Sequence, residues 1–383
     1  MTRRRVAVLF GGRSAEHEVS CLSARSVIEA LGAADVDVIP IGITREGRWH
    51  RLPGPPPLPA EPGRLPEVTE DSGAAVELAG ERASSELVAA DGSREPIDVV
   101  FPVLHGPHGE DGAVQGLLEL AGIPYVGAGV LGSALGMHKV VQKQLLRAAA
   151  IPIGPYESVH EREWADDRDA TEAAVAAMGY PVFTKPATLG SSVGVSRVDD
   201  DRDLGPGLER AFRYAREALI EKAADGAREI ECSVLGNDDP VASVAGEVVP
   251  EGHAFYDYDA KYLDEHGARL VIPADLPSAV LAEVQRLAVA AFRAIRCAGM
   301  ARVDFFVFDD GRVWVNELNT IPGFTSISMY PKLWEASGLP YPELVRRLLD
   351  LAVERHEAER KSTGVGELGR EARAAPRGAR PDR

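Results

Sequence analysis

Read as alternating apolar and polar positions, the chain opens on a short buried-strand pattern, RVAVLF at 5–10, that runs straight into Gly11-Gly12. From Ser14 the apolar spacing becomes helical through Val19, Leu22, Val27 and Leu31, and a second strand pattern follows at 36–41. Such a βαβ unit begins an open parallel sheet. The pattern returns at 97–104 (IDVVFPVL) and ends on His105-Gly106, at the carboxyl end of a strand, where open sheets place ligands. Between these, 44–95 is weakly patterned, proline-rich at 53–62 and acidic at 67–95, and reads as hairpin and loop material at a domain edge.

Past Gly127-Ala128-Gly129, Ser133 is placed to cap a helix holding Met137, Val140, Val141, Leu145 and Leu146, which Ile151-Pro152 stops. A helix of small residues at 169–178 leads to a strand at 180–184, then Lys185-Pro186 and the glycine loop 190–194. From 219 the pattern is strand-rich. It is followed by an amphipathic helix at 278–295, strands at 300–308 and 312–318, and a last helix at 340–355. The residues from 358 to 383 have the composition of a disordered tail.

Composition narrows the function classes. A chain of 383 residues has room for two or three domains with cores of their own. The formal charge of −17 opposes a nucleic-acid partner, which needs a basic surface to displace counterions. The N-terminal apolar run is too short for a signal peptide, and no run reaches the roughly 18 apolar residues of a membrane span. Three cysteines lie far apart with no zinc spacing, which fits a reducing cytoplasm. Only seven of the 42 basic residues are lysines, so where a lysine stands carries information.

The strongest local chemistry lies in GMARVDFFVF-DDG-RVWVNELNT. A two-residue turn at Asp310-Gly311, which that dipeptide favours, puts Asp304 opposite Glu317 and Arg302 opposite Asn319, all on one face. Facing carboxylates repel unless a cation lies between them, and an all-oxygen set of Asp304, Glu317 and Asn319 suits Mg2+ completed by phosphate and water. The competing reading is a solvated polar face beside an arginine. Gly190-Ser191-Ser192-Val193-Gly194 after the strand bearing Lys185 can cradle a phosphate, although by itself GSSVG is equally a plain turn. Residues 253–262, with three tyrosines and Lys261, form either a lid or a surface loop. His105 and the following Gly109-Glu110-Asp111-Gly112 are either part of a site or an ordinary polar strand-to-helix loop.

Taken in order, Ala15-Glu16-His17-Glu18-Val19-Ser20, Leu104-His105-Gly106, Lys139, Lys185, GSSVG, EKA at 221–223, FYDYDAKY at 255–262, ARVDFF at 301–306 and NELNTIPGFTSIS at 316–328 closely resemble the D-alanine-D-alanine ligases of the ATP-grasp superfamily. The resemblance spans about residues 5–350. It implies an α/β (α+β) three-domain ATP-grasp fold: an N-terminal parallel-sheet (preATP-grasp) domain at 1–126 with a variable insertion at 44–95, a central domain at 127–220, a C-terminal domain at 221–357, and the tail.

For the site, the resemblance puts Lys139 and Lys185 on the α and β phosphates of ATP and Lys261 on the γ phosphate. Glu221 would take the adenine amino group, the backbone near Ala224 the ring, and Glu229 the ribose, with Lys222 and Ser192 also at the nucleotide. Asp304, Glu317 and Asn319 would hold two Mg2+ ions, or Mn2+. Arg302 and the N–H of Gly323 resemble an oxyanion hole. Glu16 would anchor the first D-alanine with Ser191 and Tyr262, Ser328 and Met329 would contact the second, and His105 would lie near both. The implied reaction makes D-alanyl-D-alanine for peptidoglycan through a D-alanyl phosphate, in a cytoplasmic homodimer with no nucleic-acid or membrane partner. Within the family the alternative is a D-alanyl-D-lactate ligase, whose hydroxy-acid nucleophile an intact Tyr262 disfavours, or another D-amino-acid ligase; outside it, a non-catalytic nucleotide-binding regulator. Thr188 and Ala223 depart from the family pattern beside the glycine loop and the hinge.

Overall fold

The computed structural model describes residues 3–33, 35–59, 61, 64–79, 85–250, 268–325 and 327–362. β1 (Arg4–Gly11), α1 (His17–Gly32) and β2 (Val36–Ile43) form the expected βαβ unit, with β1 and β2 parallel. The helix starts at His17 rather than Ser14, because the Ser14 hydroxyl accepts from Glu16 N at 3.0 Å and turns the chain first. The weakly patterned stretch supplies β3 (Trp49–Arg51), β4 (Ala74–Leu78), β5 (Glu86–Ala89) and β6 (Arg94–Pro96), which extend the same sheet antiparallel from β2. β7 (Val99–Pro102) pairs parallel with β1 on its other side, and α2 (Ala113–Ala121) covers the sheet.

α3 (Val130–Met137) and α4 (Lys139–Ala148) replace the single helix expected here. Ser133 lies inside α3, its hydroxyl on the Ala128 carbonyl, and His138 caps α4 by accepting from Val141 N at 3.4 Å. The apolar spacing runs through both helices and so hides the break. β8 (Tyr156–His160), α5 (Glu161–Asp166), α6 (Arg168–Met178), β9 (Val182–Pro186), β10 (Ser196–Val198), α7 (Asp201–Phe212) and β11 (Glu217–Lys222) build a four-stranded antiparallel sheet in the order β10-β9-β11-β8. Glu221 and Lys222 therefore stand on the central sheet, just past the boundary read from the sequence.

β12 (Arg228–Gly236), β13 (Val241–Pro250), β14 (Ala268–Val271), α8 (Ser278–Ala294), β15 (Gly299–Val307) and β16 (Val313–Asn319) form a second antiparallel sheet, β14-β13-β12-β15-β16, with α8 packed on its apolar face. α9 (Met329–Ala336) and α10 (Tyr341–Ser362) follow. α10 continues through 358–362, which the composition had placed in the tail. Its Leu344, Val345, Leu348 and Leu349 share one buried cluster with Val6, Val8 and Phe10 of β1 and Phe101 of β7. Among the described residues, no helix is long and apolar enough to cross a membrane.

Candidate active site

A cleft of about 320 Å³ lies between the two antiparallel sheets, lined by Lys139, Lys143, Lys185, the glycine loop, Glu221, Glu229, Arg302, Asp304 and Glu317. Its floor is the β15–β16 hairpin. Phe305, Val307, Val313 and Val315 are buried against α8, and the alternate positions turn into the cleft. Asp304 pairs with Glu317 and Arg302 with Asn319, as the sequence predicts, but by another route. The turn is a three-residue loop, 309–311, with Gly311 at φ +85° as such loops require, which sets the pairing near the turn one residue short. A bulge at Asn316 restores the register just before Glu317. The buried amide of Gln142 on α4 clamps both backbone groups of Leu318, at 3.0 and 3.1 Å, and holds the strand between Glu317 and Asn319.

Arg302 is the half-buried cation of this face. Its Nε and Nη2 donate to the two oxygens of Asp304 at 2.7 Å each, and Nε lies 3.0 Å from Glu231. Burial alone would lower its pKa, but Asp304 and Glu231 outweigh that and hold the guanidinium charged. Asn319 donates to Asp304 at 3.0 Å, which leaves its amide oxygen as the coordinating atom. Among the described residues, no three His, Cys, Asp or Glu side chains converge as a metal cluster. The donor set of two cross-strand carboxylates and one amide fits a hard cation that takes its other ligands from phosphate and water.

Facing the hairpin stand the lysines. Lys139 donates to Leu189 O at 2.7 Å and lies 3.4 Å from Glu317. Lys185 donates to Glu221 at 2.7 Å, and Lys143 lies 2.6 Å from the other oxygen of the same carboxylate. Burial works to raise the Glu221 pKa, but the two ammonium groups overcome it and hold it at about 2. Both Glu221 oxygens thus already accept a charged bond, and an adenine amino group would have to share them. The Lys222 ammonium is committed to the carbonyls of Gly179 and Tyr180, at 3.0 and 2.8 Å, rather than to a phosphate. Ala224, Glu229 and Ser192 line the cleft.

Where the glycine loop meets the N-terminal sheet, the Ser191 hydroxyl donates to Glu16, the residue just before α1. The loop holds Leu189, Ser191 and Ser192 at positive φ, a conformation that costs on the order of 1–3 kcal/mol per residue. Beside Glu16 are buried His105 and half-buried Glu110. His105 Nε2 lies 3.2 Å from the Ser23 hydroxyl, which accepts from Phe324 N at 3.4 Å and so ties this end to the Gly323 segment. Burial holds the His105 pKa below its ordinary value. Burial, reinforced by the charge of Glu16, raises Glu110 to about 8, although it accepts from Gly106 N at 2.7 Å. Ser328 accepts from Thr325 N at 3.0 Å just before Met329 opens α9. Lys261, Tyr262 and the rest of 253–262 lie outside the described residues.

The structure therefore brings Glu16 and Ser191 together, and separately gathers Lys139, Lys185, Glu221, Arg302, Asp304, Glu317 and Asn319. Sequence reasoning missed Lys143, Gln142 and Glu231, and read Glu110 only within a loop that could belong to a site or not. Lys143 was within reach, since it follows Lys139 by four residues on one helix face in a lysine-poor chain.

Comparison with known proteins places this geometry. Family models described as D-ala D-ala ligase N-terminus and D-ala D-ala ligase C-terminus match residues 5–128 and 145–350. The chain is 47% identical over 369 residues to the D-alanine--D-alanine ligase of Acetivibrio thermocellus, covering 92% of this chain and 97% of that one. It is 49% identical over 367 residues to that of Kineococcus radiotolerans, with the same coverage. Of solved structures, the D-alanine-D-alanine ligase from Coxiella burnetii is similar at TM-score 0.84 and 38% identity, over 97% of this chain and 100% of that one. The VanG D-Ala:D-Ser ligase from Enterococcus faecalis is similar at TM-score 0.77 and 33% identity, over 92% and 100%.

Proposed function

The chain belongs to the D-alanine-D-alanine ligase family and is an ATP-dependent ligase, and from this premise we propose how its own residues divide the work of joining two D-alanines. The carboxylate of the first D-alanine attacks the γ phosphorus of ATP, ADP leaves, and a D-alanyl phosphate forms. The amine of the second attacks the acyl carbon and loses a proton, and the tetrahedral intermediate expels phosphate. The dipeptide serves peptidoglycan precursor synthesis.

Lys139 and Lys185 hold the α and β phosphates and Lys261 the γ phosphate. Glu221 and the backbone near Ala224 receive the adenine, and Glu229 the ribose, with Lys222 and Ser192 at the edge of the nucleotide. Asp304, Glu317 and Asn319 would hold two Mg2+ ions, for which Mn2+ can substitute; when bound, they offset the charge that builds on the transferred phosphoryl group. Arg302 and the Gly323 N–H stabilise the oxyanion of the tetrahedral step. Glu16 takes the ammonium of the first D-alanine, with Ser191 and Tyr262 in the same hydrogen-bonded set and His105 nearby. Ser328 takes the carboxylate of the second, beside Met329. The enzyme acts in the cytoplasm as a homodimer.

The observation that carries this reading is the bond between Glu16 and Ser191, which sets an amino-acid anchor at the loop that also lines the cleft of lysines and facing carboxylates. ADP release should require D-alanine and Mg2+ together, and the product should have the mass of D-alanyl-D-alanine. Release driven by another amino acid, or a depsipeptide formed preferentially when D-lactate competes at neutral pH, would overturn the substrate assignment.

A further inference from the structure

Glu221 is a nearly sealed carboxylate with two cations. Lys143 reaches one oxygen at 2.6 Å and Lys185 the other at 2.7 Å, and the three side chains are 4%, 17% and 10% exposed for Lys143, Lys185 and Glu221. One cation suffices to balance this carboxylate, so the second can answer to other anions in the cleft, the carboxylates Glu317 and Glu229 among them.

Geometry tells the two lysines apart. Lys143 sits one helical turn after Lys139 on α4 and is tied a second time, to the carbonyl of Val315 on β16 at 3.4 Å. It thus joins α4, the central sheet and the hairpin sheet at one ammonium. Lys185 stands on β9 diagonally across from Glu221 on β11, more exposed, with Glu317 and Glu229 also acting on it. Burial pulls the Lys143 pKa down, whereas the surrounding carboxylates carry that of Lys185 up against burial.

We infer that Lys143 is the standing counter-ion of Glu221, a positioning residue that neutralises this carboxylate so that the Lys185 ammonium can turn to the phosphates of the nucleotide. The inference rests on the reading of the cleft as an ATP site. Without Lys143, Lys185 is the remaining ion-pair partner of Glu221 among the described residues, and the phosphates must compete for that ammonium.

The test uses the full chain with Lys143→Met, which keeps side-chain length and removes the charge, and Lys143→Arg, which keeps the charge. Equilibrium titration with ATP is set beside steady-state KM values for ATP and D-alanine. Lys143→Met should weaken ATP by about tenfold or more while leaving the D-alanine KM within about twofold, and Lys143→Arg should recover most of the loss. An ATP affinity within about twofold of wild type in Lys143→Met, or a parallel rise in both KM values, overturns the inference, because a merely structural residue would disturb both substrates. If Lys143→Met does not fold, Lys143→Gln is read by the same criteria. If wild-type chain releases no ADP with D-alanine, the functional reading fails by itself, and the ATP titration of the variants still decides the role of Lys143.

Discussion

At the hairpin end of the cleft, Arg302, Asp304, Glu317 and Asn319 stand on two neighbouring strands, so the hydrogen bonds of one sheet set their mutual distances before anything binds. At the opposite end, Glu16 comes from the N-terminal sheet and Ser191 from a loop of the central sheet, and they meet through side chains. The first arrangement is suited to fields that must be in place when phosphoryl charge develops, since preorganised groups need not rearrange during the reaction. The second depends on how two separately built parts approach each other. Changes at the hairpin should therefore act on turnover, and changes at the Glu16 end on substrate affinity.

The largest effect should come from Glu317→Gln, which removes one of the facing charges without changing shape. Turnover is expected to fall by about a thousandfold with the melting temperature kept, as read by ADP release and thermal unfolding. Wild-type turnover in that variant would remove the hairpin from the mechanism. Glu16→Gln should raise the D-alanine KM by about 10–100-fold, the weight of one charge-assisted bond, and leave the ATP KM nearly unchanged. A fall in kcat alone would erase the contrast between the two ends.

Gly106→Ala should have a smaller effect. Gly106 adopts φ +76°, and a Cβ there would lie 2.7 Å from the Ser14 hydroxyl and 3.0 Å from Glu16. We expect a stability loss of about 1 kcal/mol and a severalfold rise in the D-alanine KM. An unchanged KM would show that Glu16 tolerates displacement.

The last prediction concerns pH. Glu110 is protonated in the folded protein up to about pH 8, whereas an unfolded carboxyl loses its proton near 4.5. Its contribution to stability is thus fully present below the unfolded value and is lost as pH rises through about 8. Between those limits it weakens the folding equilibrium by up to about tenfold per pH unit. Glu110→Gln should flatten that part of the melting-temperature profile, and an unchanged slope would assign it to other groups.

What could be read from the sequence divides along the same line. Strand alternation and one turn dipeptide were enough to oppose Asp304 to Glu317, because both lie within one hairpin. The three-residue loop and the bulge at Asn316 cancel in their effect on that pair, and their local chemistry leaves no sign in the period. The Glu16–Ser191 contact spans 175 positions, so only resemblance could pair them. The partial burial of Glu110 follows from how the loop after β7 folds inward, which its polar letters conceal. Ser133, the more favourable capping residue, falls inside α3, and His138 caps α4 in its place.

The seating of α10 against β1 and β7 has a consequence for how the chain comes into being. Val8 and Leu348 share a buried cluster yet are separated by about 340 positions. At roughly 5–20 residues per second, ribosomal synthesis leaves the first strand waiting on the order of 20–70 s for the helix that closes its core. For that interval Val6, Val8 and Phe10 lack their last apolar cover. The N-terminal sheet, although made first, is the part of this molecule completed last.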